Sequence, residues 1–406
     1  MSCDESEDLS RRIFLARATR AIESAVGLCL AGPLAIGAGL SQAADVDSGI
    51  GQPLMVRVPR PLDAETPIDA FNSWLTPNRR FFVRSHFGPP TADLSDESVW
   101  RLRVQGLVDR PLTLSFEDLR QFEEVTVTAV LQCSGNGRAF FKPHAPGVQW
   151  ERGAVGNARW TGVRLRDVLQ RAGITPGARH VQMQGADRPV SERTPQFVRS
   201  IPLSKALHPD TLLATRMNDE PLSLLHGAPL RLITPGWMAE SCMKWLTDLT
   251  VQENEARGYY METAYRYPSE PVVPGAHRNP DGQTQMLPVE AMVVKSVIVQ
   301  PSDEMVVRSG PVVIEGVAWT GEGRITRVDI STDGGRTWQQ ADLLSQDVPY
   351  AWRQWRLLWQ AHETGVHTIL SRATDEKGDV QPLASPWNPG GFLWNGMDQV
   401  RVRVMT

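Results

Sequence analysis

The stretch 127–141, VTAVLQCSGNGRAFF, ends an apolar strand-like run in one cysteine, Cys133, then turns through Ser-Gly-Asn-Gly to Arg138. A side chain at a strand end, before a tight turn, can be presented to a cleft. A neighbouring guanidinium would favour the thiolate, the form that attacks or ligates, and a soft thiolate suits a soft metal centre. The ordinary alternatives are a core thiol or a disulfide with Cys242. A second stretch, 78–90, reads NRRFFVRSHFGPP. In a strand Arg84 and His86 would share one face, where a guanidinium could clamp an oxyanion with paired donors. A solvated edge strand would leave Phe81 and Phe82 unexplained.

Other chemistries lack their residues. His362 and His367 in HETGVH are five apart in a strand-like segment, whereas a zinc-binding helix needs them four apart. SGNGR lacks the lysine of a phosphate loop. No Cys-x-x-Cys pair, Cys-x-x-Cys-His haem site or Gly-x-Ser-x-Gly elbow occurs. A formal net charge of -4 gives no basis for a nucleic-acid partner.

The elements that must carry these residues divide the 406-residue chain in two, enough for two cores. At the start, SRRIFLA (10–16) sets paired arginines before a weakly apolar stretch broken by glycines and Pro33, with small residues near 41–43. This is the pattern of a cleaved twin-arginine export signal over 1–43. The glycines and Pro33 leave no stable membrane span, which needs roughly 20 uninterrupted apolar residues. Such export carries folded cargo, so a cofactor inserted beforehand is expected, and the destination is the periplasm. From 51 to 267 short strands mix with helices. WRLRVQGLV alternates, SFEDLRQF opens on a serine cap, and GVRLRDVLQRAGI has helical apolar spacing ending at Gly173. A Pro/Gly/Asn-rich linker covers 268–287. Successive alternating strands from 288 to 406, with an Asp333-Gly334-Gly335 hairpin turn, indicate an all-β sandwich of immunoglobulin type.

The segments FFVRSH, LQCSGNGR, VQWERGAVGNARWTGVRLRDVL, HGAPLRLITPGW and MKWL, in that order, resemble the sulfite oxidase family of molybdenum enzymes. DGGRTWQQA, WRQWRLLWQ and VQPLASPWNPGG resemble that family's dimerisation domain. The resemblance implies an α+β molybdopterin-binding catalytic domain followed by an immunoglobulin-like dimerisation domain, and a homodimer. It implies Cys133 as the protein thiolate on molybdenum, with the other ligands from the pterin dithiolene and oxygen. It assigns Arg84, Arg138 and Tyr265 to the substrate site, with Trp150 lining the pocket and Arg356 as a further pocket arginine. Tyr259, Tyr260 and Tyr267 stand close enough in sequence to compete for the position of Tyr265. Phe82, Val83, Arg84, Ser85, His86, Asp187, His226, Arg231, Met243, Lys244 and Trp245 match pterin-cofactor contacts.

The activity so implied is oxidation of sulfite, a small dianion held by guanidinium groups, by oxygen-atom transfer at a molybdenum-molybdopterin cofactor. With no haem or flavin motif in the chain, electrons would leave singly to a c-type cytochrome. The alternatives are a sulfane dehydrogenase acting on carrier-bound sulfur, a related sulfoxide reductase, or a non-catalytic relative that binds cofactor or partner only. Under this reading Cys242 is a small buried hydrophobe and cannot pair with Cys133.

Overall fold

Alternating apolar residues build the first sheet: Leu102 and Val104 point inward from Leu102–Gly106 while Arg103 and Gln105 face solvent. The computed structural model describes residues 53–90, 97–275, 284–344 and 346–406; the signal-like segment 1–43 lies outside the described residues. In the first sheet the strands run Leu112–Leu114, Leu102–Gly106, Leu246–Gln252, His180–Gly185, Val198–Pro202. The second sheet runs Glu220–Pro221, Leu212–Met217, Val155–Arg164, Glu124–Gln132, with Arg231–Ile233 added against Leu212–Met217.

Helices among the described residues are short. Leu165–Ala172 buries Leu165, Val168, Leu169 and Ala172 in the core formed with the first sheet, and ends at Gly173, whose φ of +75° suits glycine. Phe116–Leu119 starts at Ser115, which with Asp118 forms a reciprocal capping box. Both expected helices are present, and strands dominate the rest of this α+β region.

One expectation fails. The segment 78–90 is not a regular strand: a single turn, Asn78–Arg80, leads into one bridge, Val83 against Ala64. Asp63 ends the ladder. Its carboxylate accepts from the Ser85 backbone N–H at 3.2 Å and from Arg84 Nη1 at 3.1 Å, replacing the next backbone pair.

The C-terminal region is a two-sheet β-sandwich. One sheet orders Lys295–Gln300, Gly310–Trp319, Arg353–Ala361, Asp342–Leu343; the other orders Met305–Arg308, Asp398–Met405, Gly365–Asp375, Ile325–Ser331, Gln339–Gln340. Between them Ile314, Val328, Trp355, Ile369 and Val402 are buried. The Asp333-Gly334-Gly335 turn joins Ile325–Ser331 to Gln339–Gln340 as expected. Arg266–Pro268 pairs with Met286–Pro288, so the ends of the intervening segment are brought together.

A further core runs between the regions. Phe71, Val130, Val155 and Met238 pack with Val289, Val297, Val317, Trp319, Trp352 and Phe392. Val130 N–H donates to Tyr350 O at 2.8 Å, and Trp319 Nε1–H donates to Gln132 Oε1. The strand that delivers Cys133 is therefore held from both sides.

Replacing Trp355, fully buried in the sandwich, by alanine is expected to cost about 3–5 kcal/mol. Urea denaturation of wild type and variant measures this; a loss below about 1 kcal/mol would show the sandwich core repacks freely.

Candidate active site

The strand Glu124–Gln132 pairs along its length with Val155–Arg164 and stops one residue before Cys133. Cys133 keeps the register, donating its N–H to Ala154 O at 2.9 Å, and then the chain turns. Asn136 N–H donates to Cys133 O, and Arg138 N–H to Gly135 O, both at 2.9 Å. Gly137 takes φ +93°, and a Cβ there would sit 2.5 Å from the Trp394 ring. This turn needs glycine twice over. Cys133 is buried, and burial pushes its thiol up; Arg84 and Arg138 pull in the opposite direction without overcoming burial. The expected influence of Arg138 on the thiolate thus has the right sign and insufficient size in the protein alone.

Cys133 opens into a cleft that gathers most of the expected cofactor-contacting residues. Phe82, Arg84, Ser85, His86, Asp187, His226, Arg231, Met243, Lys244, Trp245 and Tyr265 all line it with Cys133. Lys244 is partly buried, donates to Leu225 O at 3.0 Å, and lies 4.2 Å from the centre of the Trp245 ring. Burial, helped by Arg231, lowers its ammonium to about 7. Arg231 donates to the backbone oxygens of His226 and Cys242, while its Nε has no partner. Tyr265 Oη and His86 Nε2 are 3.0 Å apart. Burial keeps the phenol protonated far above its ordinary range and, with Arg84 and Lys244, keeps the imidazole neutral. The competitors for this position fall elsewhere: Tyr259 is exposed, Tyr260 packs edge-on against His86, and Tyr267 lies in the strand Arg266–Pro268.

Four expected site residues do not line the cleft. Val83 faces Ala64, and Trp150 is fully buried in the cluster behind Cys133. Arg138 lies behind the Cys133 turn, donating Nη1 to Val148 O and Nη2 to Gly390 O, each at 3.1 Å. It pairs with no carboxylate among the described residues, and its Nε is unpartnered. Arg356 is placed far differently from its expected role. Strand alternation turns Trp355 and Trp359 into the sandwich and Arg356 outward, where it pairs with Glu315 at 2.9 Å.

The cleft also contains residues that sequence reading passed over, chiefly Glu240, Phe197 and Ser134. Phe197 stacks on His86, ring centres 4.4 Å apart. Cys242 is buried and free, as is Cys133, and receives the Thr234 N–H at 3.3 Å. Glu240 is 7% exposed, and neither of its carboxylate oxygens has a hydrogen-bond partner. Burial raises its carboxyl to about 7, against the pull of Arg199. An acid inside AESCMKWL was visible, but only the fold shows that it points inward. Folded protein holds this proton to about pH 7, whereas the unfolded chain releases it near the ordinary 4.5. Stability is therefore lost as pH rises between those values, and the whole penalty is present above the upper one. Cofactor-free Glu240→Gln should exceed wild type in stability at pH 8 by up to about 3 kcal/mol, the advantage vanishing at pH 4.5. Urea denaturation at the two pH values tests this; a pH-independent difference would refute the buried charge.

The donor set fits a molybdenum-pterin cofactor. Among the described residues no three His, Cys, Asp or Glu side chains are grouped to hold a metal by themselves. One thiol can only complete a coordination sphere brought largely by the cofactor. The orphaned Arg231 Nε and the partly buried Lys244 suit a phosphate-bearing organic ligand. The family description "Oxidoreductase molybdopterin binding domain" matches residues 86–260, and "Mo-co oxidoreductase dimerisation domain" matches 287–405. Mitochondrial sulfite oxidase of Rattus norvegicus is 36% identical over 374 residues, which are 87% of this chain and 66% of that protein. Sulfite oxidase of Arabidopsis thaliana is 34% identical over 86% of this chain and 94% of its own length. The crystal structure of the sulfane dehydrogenase SoxCD from Paracoccus pantotrophus superposes with a TM-score of 0.74 at 29% identity, covering 94% of this chain and 96% of that one. With the cleft, the thiol and both domain matches in agreement, the chain belongs to the sulfite oxidase family of molybdenum enzymes.

Proposed function

We propose that this protein oxidises sulfite to sulfate at a molybdenum-pterin centre and passes the electrons to a c-type cytochrome. The observation that carries the reading is a buried thiol, Cys133, between two guanidinium groups: Arg84 in the cleft and Arg138, unpaired, behind the turn. When bound, the cofactor supplies two-electron oxygen-atom transfer. The protein's own part is electrostatic and positional. Cys133 would ligate the metal. Lys244, Arg231, Ser85 and the backbone about them would hold the pterin and its phosphate, with Asp187 available to N–H groups of the pterin ring. Arg84 and Arg138 create positive potential at the thiol end, where a sulfur oxyanion binds without bringing its own counter-ion. Tyr265, kept protonated by burial, offers its O–H as a donor there when the neutral His86 donates its Nε2–H to the phenol oxygen.

The paired arginines Arg11 and Arg12 support export by the twin-arginine route and a periplasmic location. No helix among the described residues is long and apolar enough to cross a membrane. The match to a dimerisation domain supports a homodimer. So do Val313 and Leu358, which face each other across two strands on the outer face of the sandwich and are both exposed.

A second reading has its own support. The likeness to a sulfane dehydrogenase extends over nearly the whole chain, so carrier-bound sulfur is the alternative substrate. Purified protein from a host that makes the cofactor should contain molybdenum by elemental analysis and should reduce ferricyanide and cytochrome c with sulfite. Molybdenum without sulfite turnover transfers the proposal to the sulfane substrate; absence of molybdenum removes both. Cys133→Ser should keep the fold by circular dichroism and lose at least about a hundredfold in turnover, since changes to groups that only support a metal ligand already cost about 10- to 100-fold. Retained activity would overturn the ligand assignment.

A further inference from the structure

Arg138 and Tyr265 come from distant parts of the chain and share one neighbour, the ring of Phe392 in the C-terminal region. Phe392 stacks on Tyr265 with ring centres 5.5 Å apart and 23° between planes. Arg138 Cζ lies 5.3 Å from the centre of the same ring. A desolvated guanidinium is attracted to an aromatic face, and offset stacking restrains a neighbouring phenol. One ring thus restrains both the cation behind Cys133 and the hydroxyl in front of it.

The ring is itself locked. Asn388 brackets the Phe392 backbone, its Nδ2 donating to Phe392 O at 2.8 Å and its Oδ1 accepting from Phe392 N–H at 3.0 Å. A Cβ at Gly390 would lie 2.3 Å from the Phe392 ring, so the ring rests on a bare α-carbon. Gly391, at φ +60°, leaves room for the Arg138 side chain, which a Cβ there would meet at 2.8 Å. The same loop is fastened to the thiol turn: Leu393 N–H donates to Ser134 O at 3.0 Å, and Trp394 packs on Gly137 and on Phe140, 4.9 Å between ring centres. Buried Lys295, 4.7 Å from the Trp394 ring centre, backs that indole from the sandwich side.

We propose that Phe392 is a positioning residue for the anion site: its ring holds Arg138 and Tyr265 at one spacing, so the sandwich decides how tightly a sulfur oxyanion is seated beside Cys133. This rests on the proposed use of the cleft for such an anion. Arg138 and Tyr265 act on the bound anion before and during reaction alike, so loosening them weakens ground-state binding and leaves the chemical step largely intact.

The test uses molybdenum-loaded, full-length protein carrying Phe392→Leu, which keeps apolar bulk without a ring face, or Phe392→Tyr, which keeps the ring. Phe392→Leu should raise KM for sulfite and weaken sulfate binding, read by calorimetry, about tenfold each, the size of one desolvated cation–π contact. Its kcat should stay within about twofold, because the interaction lost is uniform, with molybdenum content unchanged. Phe392→Tyr should restore both affinities. Wild-type KM and sulfate affinity in Phe392→Leu would overturn the proposal. So would a joint fall in kcat and molybdenum content, which marks a merely structural ring. Wild type that does not oxidise sulfite defeats the proposed substrate, and sulfate affinity alone then decides: a loss in Phe392→Leu that Phe392→Tyr restores supports the clamp, while equal or absent binding overturns it.

Discussion

The constraint on which this structure turns is positive charge buried without enough negative charge beside it. Arg138 and Arg231 point their guanidinium groups at backbone carbonyls, and Lys244 does the same with its ammonium. Removing a cation from water costs several kcal/mol even after relaxation, and carbonyl dipoles return only part of that. Burial accordingly draws Arg231 to about 10 and Lys244 to about 7. Such a set is stable only if the rest of the fold is rigid, and it is poised for an anionic occupant that supplies what the protein withholds.

Rigidity comes from joining two regions rather than from either one. The strand before Cys133 is backed by Trp319 through Gln132 and by Tyr350 through Val130. The turn after it is fastened at Ser134 and packed at Gly137 by the loop 388–394. A shared core containing Val155, Met238, Val297 and Trp352 removes the freedom the two regions would otherwise have. The sandwich thus backs the turn that carries Cys133, although its own residues do not line the cleft.

Glu240 shows the same economy with the opposite sign. A buried carboxyl with neither oxygen satisfied is expensive unless neutral, and its position close to Arg199 and the cleft lets the pocket's charge state respond near neutral pH. Its neighbours Cys133 and Tyr265 are both held protonated by burial when the protein is alone.

Much of this was legible in the residues themselves. Cys133 at a strand end, the glycines of its turn, the capped helices and the alternating strands of the sandwich all follow from local pattern, because periodicity and turn chemistry act within a few residues. The family motifs further named Arg84, His86, Asp187, His226, Arg231, Lys244 and Tyr265, and the fold brings them to one cleft. Sequence reading failed where a distant group intervened or where a matched motif fell on the wrong face of a strand. The Asp63 carboxylate takes the place of the strand expected around Arg84, strand alternation sets Arg356 on the outer face beside Glu315 against the role the resemblance gave it, and Gly390 O draws Arg138 behind the turn. Glu240, Phe197 and Phe392 carry no signature because their importance lies in which groups they meet across the fold. Residue types determined the chemistry available to this chain. Only tertiary structure decided which of those groups share a cleft, because burial, and with it charge and hydrogen-bond partners, is a property of the packed whole.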